Sequence, residues 1–326
     1  MIEIVKIKKF LIDSTIYFVE KVDLKTKTWI KRGGIAEIWV QPINMNQFEL
    51  LSSWCQLNDI QFEVIGNTSN CYFLNDYHPE LVVSTLKLNE MHFDGDSITC
   101  DCGYNMTRLS KYCISQGISG YEGFIGLPGT VGGAAINNAG CYGSLISDVV
   151  ESVRIMNNGK IIVLTNEQLN YEHRNSSLKS KEIEGIVMGV TFKINKKEDS
   201  VLLEKQAKYF QIQRKTYQEH NYPNLGTTFS VLEFYKLSII LRFIYEITRC
   251  LLNVIIRNPV RKQKLNTKLF LLFRPTNRFC RYVSEYGVAC FTWKDAKADS
   301  AFKYYLNFIK KETTKFTIEI DIKGKI

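Results

Sequence analysis

Two rhythms of apolar and polar residues alternate along the front of the chain. From Trp29 onward, short apolar runs are separated by stretches whose apolar residues recur every three or four positions, which predicts strands and helices in succession. Ile35–Pro42 reads as a strand, and Asn46–Asn58 as a helix with Phe48, Leu51, Trp54 and Cys55 on one face. Phe62–Ile65 reads as a second strand that ends in the loop Gly66-Asn67-Thr68-Ser69-Asn70. Tyr72–Leu74, Leu81–Leu86 and Ser97–Cys102 follow as strands, and Asn105–Gln116 as a helix with Met106, Leu109, Tyr112 and Cys113 on one stripe. Val149–Met156 and Lys160–Leu164 predict a hairpin turning at Asn157-Asn158-Gly159, and Gly185–Phe192 one more strand. Residues 1–30 are short alternating apolar segments among lysines, and the pattern assigns no element there.

The polar stretch Lys193–Ser200 marks a domain boundary. It divides the chain into an N-terminal segment 1–28, a domain 29–197 and a C-terminal domain 198–326. Beyond it, Leu202–Tyr217 reads as a helix and Asn221–Gly226 as a turn. Residues 231–273 are apolar and basic together and hold a net +6 of the chain's +9. Leu237, Ile240, Leu241, Ile244, Ile247 and Leu251 recur there at helical spacing. Such helices either bury their stripe within the C-terminal domain or form a peripheral surface that meets anionic lipid. Aromatic residues are not interleaved as a stacking platform, so nucleic acid is not an expected partner.

Composition narrows the classes further. With 326 residues, 45% hydrophobic and 23% charged, the chain is expected to be globular with two domains, or three small ones. Nine cysteines are an odd number, and no CxxC pair occurs among them, so neither a disulfide framework nor a structural metal is expected. Free thiols point to the reducing cytoplasm. No secretory signal and no long uncharged apolar run is evident. His78, His92, His173 and His220 lack metal-ligand spacing.

The candidate chemistry lies in a glycine-dense centre, Gly126-Leu127-Pro128-Gly129-Thr130-Val131-Gly132-Gly133-Ala134, followed by Asn137-Asn138-Ala139-Gly140-Cys141-Tyr142-Gly143. Glycines let a ligand approach bare backbone, and their amides can converge on an anion. A diphosphate suits two such loops, and Gly66–Asn70 would supply the second. Tight turns alone are the other reading of these glycines. The spacing fits neither a dinucleotide-binding GxGxxG nor a P-loop.

These residues, together with Gly33-Gly34-Ile35-Ala36, Asp76 and His173-Arg174-Asn175-Ser176, resemble the UDP-N-acetylenolpyruvoylglucosamine reductases over residues 29–192. The resemblance implies an α+β chain: an FAD-binding fold of the vanillyl-alcohol-oxidase type in two subdomains, with a C-terminal α+β substrate domain. It further implies non-covalent FAD, NADPH as reductant and a nucleotide-sugar substrate whose enolpyruvyl ether is reduced for peptidoglycan synthesis in the cytoplasm. On this basis Gly66, Asn67, Thr68, Ser69, Asn70, Gly129, Thr130, Val131, Gly132, Gly133, Ala134, Asn138, Gly140 and Gly143 are expected to bind FAD. Tyr142 and Gly226 are expected to bind substrate.

The resemblance also assigns three catalytic positions. Arg174 matches the arginine of the family's Tyr-Arg-x-Ser, and Thr227 stands where its proton-donating serine belongs. Asp321, within Thr317-Ile-Glu-Ile-Asp-Ile322, stands where a glutamate belongs, with Glu319 expected on the same strand face. Arg174 and Asp321 would polarise the substrate carboxylate, and Thr227 would deliver a proton to the neighbouring carbon. The family's Lys-Asn-Pro after the phenylalanine is replaced here by Ser230-Val231-Leu232. That replacement keeps two alternatives open: a flavoenzyme acting on another sugar in surface-polysaccharide synthesis, or a flavin-binding protein without catalysis.

Overall fold

The chain opens with a helix, Ile2–Asp13 (α1), in the stretch where the sequence pattern assigns no element. Lys6, Lys8 and Lys9 interrupt the apolar rhythm, but Ile7 and Leu11 stand four apart and are fully buried. Phe10 stacks on Trp54 with ring centroids 4.0 Å apart. The computed structural model describes residues 2–194, 196–231, 239–274, 276–312 and 316–325. Glu233, Lys236 and Leu237 of the basic segment lie outside the described residues.

The described residues form two compact units. Unit 1 comprises residues 1–24, 34–68 and 78–211, and unit 2 comprises 25–33, 69–77 and 212–326. This differs from the division expected from sequence: residues 1–24 and 198–211 belong to unit 1, and two short front segments join the C-terminal unit. Tertiary hydrogen bonds hold them there: Trp29 Nε1 donates to Asn224 O at 3.0 Å, and Tyr72 OH to Asp299 Oδ1 at 2.9 Å. Neither contact leaves a mark in the local sequence.

Unit 1 contains two sheets. The first has the order β1 (Phe18–Asp23), β2 (Ile35–Val40), β5 (Leu81–Ser84), β3 (Glu63–Ile65), with β1 antiparallel and the rest parallel. Parallel strands need a crossover connection, and Met45–Leu57 (α2) carries the chain from β2 to β3 on the far side of β5, burying Phe48, Leu51 and Cys55. Asn44 caps this helix by accepting from the Gln47 amide. The second sheet is antiparallel, in the order β11 (Lys160–Thr165), β10 (Val150–Asn157), β12 (Ile186–Lys193), β7 (Ser97–Asp101), β6 (Met91–Phe93). Its β10–β11 hairpin turns at Asn158-Gly159, both at positive φ (47° and 73°), the two-residue turn that matches strand twist. Met106–Ser115 (α3), capped by Asn105, buries Met106, Leu109 and Cys113.

The glycine-dense run is itself structured. Val131–Ile136 forms a short helix (α4) with Thr130 as its cap. Gly140–Cys141 (β8) and Ser144–Leu145 (β9) form a two-residue hairpin, and a short helix, Ile146–Val149 (α5), follows. Ser200–Tyr217 (α6) starts in unit 1, where Leu203 and Ala207 are buried.

Unit 2 is held by an aromatic core including Tyr72, Phe279, Phe291, Trp293, Phe302 and Tyr305. Its strands pair two by two: β4 (Cys71–Phe73) with β17 (Asp321–Lys323), β13 (Phe229–Val231) with β16 (Phe316–Ile318), and β14 (Val283–Ser284) with β15 (Gly287–Phe291). Ala298–Glu312 (α9) supplies Phe302 and Tyr305 to the core.

The basic segment forms Ile239–Ile255 (α7) and Pro259–Leu272 (α8). α8 buries Thr267, Leu269 and Phe270. α7 does not bury its stripe as one of the two sequence readings requires: Ile240, Ile244, Ile247 and Leu251 are all exposed.

Candidate functional site

In unit 1 the two glycine loops meet. Asn67 Nδ2 donates to Pro128 O at 2.8 Å. A Cβ added at Gly66 would stand 2.4 Å from Thr130 Oγ1, so this approach admits no side chain at position 66. The same holds further along: a Cβ on Gly132 would meet Cys102 Cβ at 2.9 Å and Cys102 O at 3.0 Å. Gly66, Asn67, Thr68 and the Gly129–Ala134 run, sixty-odd residues apart in sequence, are thereby brought together. Ser69 and Asn70 continue the first loop into unit 2.

The amides are used differently from the expectation that the whole run converges on an anion. Val131 N donates to Tyr104 O and Gly132 N to Cys102 O, both at 2.8 Å. Gly133 N is taken by the Thr130 cap at 3.4 Å and Ala134 N by Thr130 O at 2.9 Å. The first two tie α4 to the segment just after β7, and the last two close the helix's own first turn, so all four amides have acceptors within unit 1. The amides of Gly66, Asn67, Gly129 and Thr130, in contrast, meet no acceptor among the described residues. They lie on the two loops that touch.

Of the eleven non-glycine residues that adopt the left-handed region among the described residues, four are Thr68 (φ 52°), Asn138 (φ 41°), Tyr142 (φ 48°) and Arg174 (φ 56°). All four are residues picked out from sequence, and for β-branched Thr68 this conformation is a true outlier. Such strain persists only where surrounding contacts over-determine it. Lys179 Nζ donates to Arg174 O at 2.8 Å, and Asn138 Nδ2 to Glu172 O at 2.8 Å.

Arg174 is joined to the second glycine loop. Its guanidinium donates to Gly140 O at 2.9 Å and to Asn138 O at 3.5 Å. The neighbouring hydroxyl of Ser176 is buried and donates to Ile136 O at 2.6 Å. Tyr142 and Gly143 form the tip of the β8–β9 hairpin, where Tyr142 stacks on Phe210 of α6 at 5.1 Å and 14°. Phe210, Lys179 and buried Glu122, which accepts the Gly120 amide at 3.0 Å, are supports that sequence reasoning missed. Phe210 alone carries a signal, its place on an apolar helix position. Cys102, beneath α4, is pushed up to about 12 by burial and stays a neutral thiol.

In unit 2, Gly226 has φ 72° and open space where a Cβ would be. Thr227 is exposed, and its hydroxyl has no hydrogen-bond partner among the described residues. Thr228 beside it is buried, donating to Ala289 O at 2.7 Å and lying 3.0 Å from Tyr305 OH. The two threonines thus divide into one facing solvent and one holding the core. The acids differ from expectation. Residues 317–322 are not one strand: β16 pairs antiparallel with β13, then the chain turns through Glu319 and Ile320 so that β17 pairs parallel with β4. Glu319 and Asp321 therefore do not share a strand face. Asn70 joins them instead, its Nδ2 donating to Glu319 O and its carbonyl accepting from Asp321 N, each at 2.9 Å.

A cleft of about 490 Å³ in the same unit is lined by Tyr245, Lys262, Gln263, Asn266 and Phe270, none of them expected from sequence to bind or catalyse. Among the described residues no cluster of His, Cys, Asp or Glu could hold a metal ion, and no helix is long and apolar enough to cross a membrane.

Comparisons with known proteins converge on one family. Residues 36–165 match the model of an FAD binding domain. The chain is 32% identical over 213 residues to the UDP-N-acetylenolpyruvoylglucosamine reductase of Clostridium novyi, covering 65% of this chain and 68% of that one. It is 33% identical over 213 residues to the enzyme of the same name from Bacillus pumilus, covering 65% and 70%. The crystal structure of UDP-N-acetylenolpyruvylglucosamine reductase from Thermus caldophilus superposes with a TM-score of 0.66 at 20% identity, over 95% of this chain and 99% of that one. The last match bears on the fold alone.

Proposed function

The chain belongs to the UDP-N-acetylenolpyruvoylglucosamine reductase family, and we propose that it reduces UDP-N-acetylglucosamine enolpyruvate to UDP-N-acetylmuramate, with bound FAD and with NADPH as reductant. The observation that carries this reading is the meeting of the Gly66–Thr68 loop with the Gly129–Ala134 run, each contributing amides that have no acceptor among the described residues. That arrangement fits a diphosphate, and Gly66, Asn67, Gly129 and Thr130 would hold that of FAD. When bound, FAD supplies the flavin that carries hydride from NADPH to the enolpyruvyl ether.

The remaining chemistry falls to this chain's residues. Arg174, with its guanidinium fixed by two main-chain carbonyls, is the cation for charge that builds on the substrate carboxylate. Thr227 is the proton donor: a hydroxyl free of internal partners can be given to a ligand without leaving a hole in the core. Asp321 assists at the carboxylate, on a backbone fixed by Asn70. We place the reaction in the cytoplasm, as a step of peptidoglycan precursor synthesis. The second reading, a flavoenzyme for another sugar, is favoured by one feature: Ser230 and Val231, where the family has lysine and asparagine, are ladder partners of Thr317 and Phe316.

The test is NADPH oxidation by the purified yellow protein with and without UDP-N-acetylglucosamine enolpyruvate. We expect oxidation that depends on the sugar. Arg174→Ala should abolish turnover with flavin absorbance intact, and Thr227→Val should let NADPH reduce the flavin yet block its reoxidation by substrate. Oxidation at the same rate with and without the sugar would sink the substrate assignment, and normal turnover by Thr227→Val would remove the proton-donor role.

A further inference from the structure

Helix α7 is amphipathic, and it is turned inside out. Ile240, Phe243, Ile247, Leu251 and Val254 recur at helical spacing and make one stripe, and each is between 44% and 81% exposed. The side that packs on the protein is the more polar one. Asn253 meets Asn266 of α8 at 3.1 Å, and Tyr245 packs edge-on against Phe273 with Arg274 over its ring. Arg249 is engaged with Glu246 of its own helix at 2.7 Å. A helix fixed through its polar side leaves its apolar side for something other than its own unit.

Charge selects the occupant. Residues 239–273 carry seven Lys and Arg against Glu246 alone. Arg242, Arg257, Arg261, Lys262 and Lys268 have no carboxylate partner among the described residues. Arg257 and Arg261 stand at the turn between α7 and α8, next to the C-terminal end of the stripe. A second copy of the chain would bring this surplus against itself, whereas an anionic lipid surface neutralises it while covering the apolar stripe. We propose that α7 lies in the plane of an anionic membrane surface, its Ile240–Val254 stripe in the acyl boundary and its cations among the headgroups. This is independent of the reductase reading, since none of these residues is placed in the flavin or substrate machinery.

The full chain, flavin-loaded, should co-sediment with vesicles of phosphatidylcholine and phosphatidylserine, be released by salt, and stay in solution with phosphatidylcholine alone. Arg257→Glu with Arg261→Glu should weaken partitioning by at least tenfold, since each basic residue near an anionic surface contributes roughly fivefold. Ile247→Glu with Leu251→Glu should abolish binding while leaving thermal stability and flavin absorbance unchanged, because those side chains already face outward. The proposal is overturned by an absence of co-sedimentation. It is equally overturned by binding that the glutamates on the stripe do not affect, or by a concentration-dependent dimer that the stripe variant dissolves and vesicles leave intact.

Discussion

Gly66→Ala tests the loop junction at its narrowest point. The new methyl would stand 2.4 Å from Thr130 Oγ1 and 3.0 Å from its Cγ2, both side-chain atoms of a buried residue. Thr130 must therefore rotate or retreat. Rotation removes the cap on α4, a loss of about 1 kcal/mol, and crowding a packed contact adds roughly 1–3 kcal/mol. A total of about 2–4 kcal/mol should lower the melting temperature by roughly 4–15 °C for a unit of this size. Flavin affinity should fall further, by about tenfold for each 1.4 kcal/mol needed to restore the loops on binding. Thr130→Ala alone removes the cap but opens space, and the double variant relieves the clash. The two losses should thus be strongly non-additive in a double-mutant cycle, read by thermal melts and by titration of the apoprotein with FAD. Gly133→Ala is the control, because its Cβ meets only Thr130 Oγ1, at an ordinary 3.5 Å. If Gly66→Ala melts and binds FAD as the parent does, or if the cycle is additive, the junction is not what shapes the site.

Two further outcomes follow from the packing. Asp299 receives Tyr72 OH at 2.9 Å and Asn75 Nδ2 at 2.8 Å and lies 3.2 Å from Arg32 Nε, so it ties both front segments to unit 2. Asp299→Ala leaves a largely buried cation unpaired and should cost about 2–4 kcal/mol in urea unfolding; a loss below about 1 kcal/mol would mean the segments are held by their apolar contacts. Burial pushes Cys55 and Cys102 up to about 12 from the free-thiol value of 9.0, whereas Cys250 is exposed on α7. Iodoacetamide at mildly alkaline pH should therefore modify Cys250 and spare those two, as peptide mass spectrometry would show. Because the fold favours their neutral form, the stability they contribute is complete below 9.0 and is lost as the pH rises toward about 12.

Elements with one clean period were legible in the sequence. α2, α3 and the Asn158-Gly159 hairpin declare themselves because a single face is buried and the turn has one chemistry. α1 was hidden by lysines that sit on its solvent side between Ile7 and Leu11. The glycine run was legible as a place where backbone comes close, but not for the reason of donating amides along its whole length. Gly132 is glycine because Cys102 leaves no room for a Cβ, a fact of tertiary packing. The Ile-Glu-Ile-Asp-Ile alternation suggested one strand because a period of two persists across a change of partner. Only the pairing of β16 with β13 and of β17 with β4 reveals the break.

The two halves of the proposed chemistry rest on different kinds of residue. Flavin binding is assigned mainly to backbone, at Gly66, Asn67, Gly129 and Thr130, where the requirement is the absence of side chain at the junction and a strained neighbour such as Thr68. Backbone sites tolerate drift in most surrounding side chains, so membership of the family reads out strongly there. Substrate chemistry is assigned to side chains, and these are the ones that differ from the family pattern: threonine for serine, aspartate for glutamate, serine and valine for lysine and asparagine. The changes keep a hydrogen-bonding group at the positions proposed as catalytic, Thr227 and Asp321, but remove a cation at Ser230, whose backbone is tied into the β13–β16 ladder. The expected consequence is an enzyme whose protonation step survives and whose grip on an anionic nucleotide is loosened. A raised KM with a largely retained kcat for the family substrate is therefore the signature that separates a divergent reductase from one that has exchanged its sugar, for which kcat itself would collapse.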